Sequence, residues 1–161
     1  MNESKQYTAE DLARGEKAEA LFRQGYNCAQ AVLMTFEDVT GLPLELSAKI
    51  ASSFGGGIGR LREFCGALSG AEMVLGLVLG YGTPESGNVK MEHYERVQAL
   101  AKAFREEQGS WICRDQLHLE GAENPVPTPR TKAFYEERPC PRLVNTAAKA
   151  VSGMLREAGK L

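Results

Sequence analysis

The chain has only four cysteines and no CxxC pair among them, which removes zinc ribbons and thioredoxin-type dithiols. The CxxCH attachment signal of c-type haem and the clustered run of bacterial ferredoxins are absent too. Two histidines give little material for imidazole-rich metal sites. Basic charge is not in excess: the formal net charge is −2, which makes no electrostatic case for nucleic acid or an anionic membrane surface. No long apolar run occurs. The most apolar stretch, Cys65 to Gly80, is short, glycine-rich and interrupted by Glu72, so stable membrane insertion is not expected. The start, MNESKQYTAEDL, lacks the basic and apolar regions of a signal peptide, and a cytoplasmic location is the expectation. In a reducing compartment, four cysteines point to free thiols, metal ligands or redox groups before structural bridges.

What is present fits one ordinary domain. With 161 residues, 43% hydrophobic and 25% charged, residues 1–161 can bury a core without disulfide support. The pattern is helical throughout, with no strand signal and no internal repeat. Thr8 before Glu10 and Asp11 marks a helix start. Leu12, Ala18, Leu21 and Phe22 recur at helical spacing, and Gly25 closes that helix. Asn27 caps a second helix running from Cys28 to about Asp38. Leu44 to Ser53 forms a third, with Leu46, Ile50 and Phe54 expected inward. Val89 to Gln108 is a long amphipathic helix with Met91, Tyr94, Val97, Leu100, Ala101 and Phe104 on its apolar face. Ser110 opens a short helix containing Cys113. Glu120 to Pro129 holds three prolines and reads as a surface loop. Thr131 to Glu137 has room for a turn or two. Pro141 to Ala158 is the last helix, with Cys140 as its N-cap and Leu143, Val144, Ala147, Val151 and Leu155 along its apolar stripe.

The centre of the chain is FGGGIGRLREFCGALSGAEMVLGLVLG, Phe54 to Gly80. Gly55, Gly56, Gly57 and Gly59 form a loop, Arg60 and Arg62 follow, and Cys65 begins a central helix. Each helical glycine costs about 1 kcal/mol against alanine. Gly66, Ser69, Gly70, Met73, Gly76 and Gly80 share one stripe, so close approach of another backbone is the expected return. That backbone belongs either to this chain or to a second copy, and a homodimer is one expectation. The architecture implied is an all-α bundle around this glycine-rich helix.

Cys28, Cys65, Cys113 and Cys140 each fall at or within the first turn of an expected helix. Free N–H groups and the positive helix end stabilise a thiolate, the species that binds metal or attacks a disulfide. A buried cysteine is otherwise a small hydrophobe. Since no two cysteines are neighbours in sequence, a shared site must be assembled by tertiary structure, one ligand per helix.

The order GYNCAQAV, then CGALSG behind a glycine-rich loop, then WICRDQL, then RPCPRLV resembles the redox-active protein family named for its pattern of Cys, CGAxxG, Cys, Cys. The likeness runs from about Leu21 to Val151. It implies a redox role for Cys28, Cys65, Cys113 and Cys140. A similar cysteine domain accompanies haem segments in split-Soret cytochromes. This chain lacks those segments, so the resemblance carries over the cysteine site and no haem.

Two chemistries stay open within that role. One is an iron–sulfur cluster or a single metal ion (Fe or Zn) on all four thiolates, serving electron transfer to an unknown redox partner. The other is a metal-free thiol–disulfide protein. An interaction or scaffold domain whose cysteines only pack is the alternative from another class, and whether the chain is an enzyme is not decided. The amides of Gly55, Gly56, Gly57 and Gly59 are candidate cofactor contacts, either cradling an anion or donating N–H···S bonds to the thiolates. No GxxxxGKS/T motif and no preceding strand support a nucleotide site. Glu72 is expected to pair with Arg60, Arg62 or Arg96, with a proton-carrying role as its functional reading. His93 is expected on an exposed helix face, and His118 near a helix end.

Overall fold

The computed structural model describes residues 6–84 and 86–161. Nine right-handed α-helices are labelled in chain order: α1 (Ala9–Arg23), α2 (Cys28–Thr35), α3 (Glu37–Thr40), α4 (Leu44–Ala51), α5 (Gly66–Leu79), α6 (Gly87–Gln108), α7 (Cys113–Leu117), α8 (Lys132–Glu137) and α9 (Cys140–Glu157). Among the described residues there is no strand, only an isolated antiparallel bridge between Phe64 and Ile112. The protein is an all-α bundle with α5 at its centre. Helices α2 and α9 lie against α5, α1 packs along α9 and α2, and α6 packs on α9 and α5.

Local chemistry fixes the helix starts. Thr8 accepts from the Asp11 amide while Asp11 accepts from the Thr8 amide, a reciprocal capping box. Asn27 and Gln30 repeat this at α2. The helix expected to continue to Asp38 breaks at Phe36, and Gly41, in the left-handed region at φ 72°, closes the short α3 that follows.

The glycines of α5 divide into two groups. A methyl group added at Gly70 would stand 2.6 Å from the Ala29 carbonyl oxygen and 3.0 Å from Val32 Cβ. One at Gly66 would stand 2.7 Å from the Phe54 carbonyl oxygen. The first half of the helix thus lies directly on the backbone of α2, as the expected stripe requires. Gly76 meets nothing within 4 Å, so the stripe is not continuous inside this chain.

Two expected apolar faces are corrected. Leu46 and Ile50 of α4 are 44% and 45% exposed, and the helix instead buries the smaller Ser47 and Ala51. Met91 and Tyr94 of α6 are also exposed, because the helix meets the core only from Val97 onward, through Val97, Leu100, Ala101 and Phe104. By contrast, the full stripe of α9 is buried, each large apolar side chain worth roughly 1.5–3 kcal/mol.

A buried anchor joins the two ends of the bundle. Asp11 is fully buried, accepting from Ser152 Oγ at 2.7 Å and from Arg156 Nη2 at 3.0 Å. Burial works against its ionisation. The hydrogen bonds from Ser152, Thr8 and Arg156 outweigh that effect and hold the carboxyl below its ordinary range.

Candidate functional site

The approach to the site is a left-handed turn. Residues 56–60 all have positive φ, from 56° to 69°. The backbone between Phe54 and Arg62 therefore coils against the usual hand, which L-residues resist by roughly 1–2 kcal/mol each. Glycine removes that cost at Gly56, Gly57 and Gly59. Ile58 and Arg60 bear it, as does Arg62 at φ 59°. Closing bonds run from the Arg62 and Glu63 amides to the Gly56 and Gly57 carbonyls, at 3.2 and 3.0 Å.

The turn delivers Glu63-Phe64-Cys65 alongside Trp111-Ile112-Cys113. The Cys65 amide donates to the Trp111 carbonyl at 2.8 Å, and the Cys113 amide donates to the Glu63 carbonyl. This short antiparallel contact fixes two cysteine backbones on adjacent segments and starts α5 and α7. Gly57 closes the arrangement from the other side. A Cβ there would stand 2.6 Å from Cys113 Cβ.

All four cysteines are free thiols at helix starts. Cys65 is the N-cap of α5, while Cys28, Cys113 and Cys140 are the first residues of α2, α7 and α9. The N-cap of α9 is Pro139, so Cys140 lies one position further into the helix than expected. The Cys28 and Cys140 thiols line one cavity, and each shifts the ionisation of the other. Cys65 feels Cys113 and Cys140, and Cys113 feels Cys140.

Helix position alone does not produce thiolates here. Burial pushes Cys65 up to about 12, against amide hydrogen bonds from Leu68 and Ala67. Burial also raises Cys113, although the Arg62 guanidinium lies 3.6 Å from its sulfur. Cys28 is raised by its hydrogen bond to Cys140 and by burial. Only Cys140 falls, to about 7. The Cys28 hydrogen bond is the main cause, opposed by burial and aided by Arg138, Arg62 and Arg130. Of the two, Cys140 is the thiol that ionises first and Cys28 the one that keeps its proton.

A cavity of about 190 Å³ opens over this pair, with Gly55 and Gly56 in its wall. Gly57 packs against Cys113, and Gly59 faces open space. The amides of Ala67 and Leu68, in the first turn of α5, act to lower the Cys65 thiol. Behind the cavity Arg62 is only 4% exposed, gripped by Glu123 through Nε at 2.8 Å and Nη2 at 2.7 Å. Arg60 donates to the Asn124 carbonyl and Thr128 Oγ1. The proline-bearing loop thus holds both arginines beside the thiols, a role its composition does not reveal.

Glu72 finds no arginine. Its two oxygens are buried without a hydrogen-bond partner, and burial raises it to about 8. His93 is half-buried, with an unpartnered Nδ1 and an edge-on contact to Tyr81, contrary to the exposed position expected. His118 is exposed at the end of α7. Among the described residues, no three His, Cys, Asp or Glu side chains stand together as a metal-holding group, and no helix is long and apolar enough to cross a membrane.

The fold and these thiols define an all-helical protein with four cysteines at helix starts, two of them, Cys28 and Cys140, on an arginine-lined cavity. Residues 26–154 match the family described as "Putative redox-active protein (C_GCAxxG_C_C)", and the chain belongs to that family. Its central motif reads Cys65-Gly66-Ala67, where the family's title writes Gly-Cys-Ala. No curated protein and no solved structure matches the chain.

Proposed function

We propose that the protein is a thiol–disulfide redox protein in which Cys28 and Cys140 are the reacting pair. The observation that carries this reading is that Cys28 and Cys140 line one cavity, while Cys65 and Cys113 are absent from its wall. Exchange needs one thiolate to attack and a second thiol within reach to resolve the mixed disulfide. Cys140 suits the first role, with Cys28 donating to it and three guanidiniums nearby. Cys28 suits the second.

A second reading places Cys28, Cys65, Cys113 and Cys140 on one iron–sulfur cluster or metal ion. Four soft donors at helix starts, each sensing at least one other, favour it. The Arg62 guanidinium, 3.6 Å from the Cys113 sulfur, serves either reading, by stabilising a thiolate or by donating an N–H···S bond to a bound centre. A bound centre would supply one-electron transfer.

Anaerobic purification followed by thiol counting and by iron, zinc and sulfide analysis separates the two readings. The dithiol reading expects four titratable thiols, two of them lost on mild oxidation and regained on reduction. Stoichiometric metal with no reversible thiol loss would overturn it.

A further inference from the structure

The cavity over Cys28 and Cys140 has an unbalanced wall. Arg60, Arg62, Arg130 and Arg138 all line it. Arg60 and Arg62 share one carboxylate, Glu123. Arg130 is held differently: Nη1 and Nη2 donate to the carbonyls of Phe22 and Tyr26, and its Cζ lies 4.4 Å from the Phe22 ring centroid. Arg138 lies over Phe134 and donates to Thr128 Oγ1 at 3.4 Å. Neither Arg130 nor Arg138 makes an ion pair among the described residues. Four guanidiniums thus face one carboxylate and the single negative charge that the thiol pair carries when ionised.

An excess of fixed positive charge in a walled concavity focuses the field and draws anions in. Guanidiniums anchored by carbonyls and aromatic faces are already positioned, so a carboxylate meets them with little loss of side-chain freedom. The volume of about 190 Å³ sets the scale. At about 30 Å³ per water it has room for about six waters, enough for one arm of a small molecule and too little for a folded peptide loop.

Resting on the thiol–disulfide reading, we infer that the substrate of the Cys28–Cys140 pair is a small disulfide bearing carboxylates, one arm of which enters the arginine-walled cavity. The Cys140 sulfur attacks the near sulfur of R–S–S–R′. That S–S bond breaks, R′S⁻ leaves and takes a proton, and Cys140 is left in a mixed disulfide with R–S. The Cys28 sulfur then attacks the Cys140 sulfur, expelling RS⁻, which takes the second proton. Two protein thiols are oxidised to one disulfide, and the substrate gains two electrons and two protons as two thiols.

The test follows oxidation of the reduced full chain by three disulfides of similar length: 3,3′-dithiodipropionate (anionic), 2-hydroxyethyl disulfide (neutral) and cystamine (cationic). Each rate is divided by that of the same disulfide with 2-mercaptoethanol, which removes leaving-group differences. The expected order is anion, neutral, cation, with at least about a tenfold span between the extremes at low salt. The span should narrow in high salt and in Arg130→Gln and Arg138→Gln; the readout is the anion-to-neutral rate ratio, in which any change of the Cys140 thiolate fraction cancels, and a circular dichroism melt reports that the variants are folded. A flat or inverted order overturns the substrate class and leaves the dithiol reading standing. If none of the three oxidises the protein, the dithiol reading itself falls and takes the substrate assignment with it. In that case, an iodoacetate-to-iodoacetamide rate ratio at Cys140 no higher than that of 2-mercaptoethanol would show that the cavity has no anion preference either.

Discussion

Replacing Gly57 with alanine tests how the left-handed turn builds the site. Gly57 has φ 66° and ψ 51°, a conformation that costs a side-chain-bearing residue roughly 1–2 kcal/mol. Its new methyl would also stand 2.6 Å from Cys113 Cβ, 2.7 Å from the Glu63 amide nitrogen and 2.9 Å from the Arg62 carbonyl carbon. Two of these three are backbone atoms held by the pairing of 63–65 with 111–113, so the strain cannot relax through a flexible side chain. Overpacking of this kind costs roughly 1–3 kcal/mol more, giving roughly 2–5 kcal/mol in all. Gly59→Ala is the control. Gly59 has φ 56° but nothing within 4 Å of its added methyl, so only the conformational cost remains. Urea unfolding of the two variants reads the difference directly. With a slope of about 1–3 kcal/mol per molar, Gly57→Ala should unfold at a midpoint lower than Gly59→Ala by about 1 M. Equal midpoints, or a neutral Gly57→Ala, would refute the claim that this glycine exists to let the turn touch Cys113.

Three further outcomes follow from the electrostatics. Alkylation of Cys140 by iodoacetamide should reach half its maximal rate near pH 7, and Cys28→Ala should move that midpoint upward because the thiolate loses its hydrogen-bond donor; an unchanged midpoint would remove Cys28 from the pair. Asp11→Ala leaves Arg156 without its buried partner and should cost about 3 kcal/mol by denaturant titration. Because the Asp11 pKa is depressed, its contribution is present at neutral pH and is lost as pH falls through the folded value, so the gap between wild type and variant should shrink in acid. Glu72 has the opposite sign. Its folded pKa of about 8 lies above the ordinary 4.5, so the folded state holds the proton more tightly and stability declines as pH rises between those values. Glu72→Gln should therefore gain stability relative to wild type from pH 5 to pH 8, and parallel pH profiles would contradict the assignment.

How much the sequence revealed depended on the range of the interaction. Helix starts were legible because a cap acts within three residues: Thr8 with Asp11 and Asn27 with Gln30 both form the boxes their spacing implies. The α9 stripe was legible because 3.6-residue periodicity is a local property. All four cysteines lie at helix starts for the same reason. The difference between them was hidden, since most of it arises from partners distant in sequence. Cys140 is lowered by Cys28, Arg62 and Arg130 besides its near neighbour Arg138, whereas Cys65 has burial and no guanidinium among its causes. Glu123 gave no signal at all, although it holds Arg62 from the middle of a proline-bearing loop. The glycine cluster marked a loop. The positive φ at Ile58 and Arg60 was beyond reach, because a β-branched residue there opposes its own preference and is held by the surrounding turn. On α4, apolar Leu46 and Ile50 pointed inward by composition, yet the helix packs on α2 with Ser47 and Ala51 buried.

The central claim is that Cys28 and Cys140 are the thiols that exchange, with Cys65 and Cys113 standing behind them. Mild oxidation of the intact protein, trapping of free thiols by alkylation and peptide mapping by mass spectrometry tests this most directly. The account predicts a disulfide between Cys28 and Cys140, reversed by a small dithiol reductant, with Cys65 and Cys113 recovered as alkylated thiols. A disulfide formed first at Cys65 or Cys113, or four thiols that resist oxidation together, would contradict it.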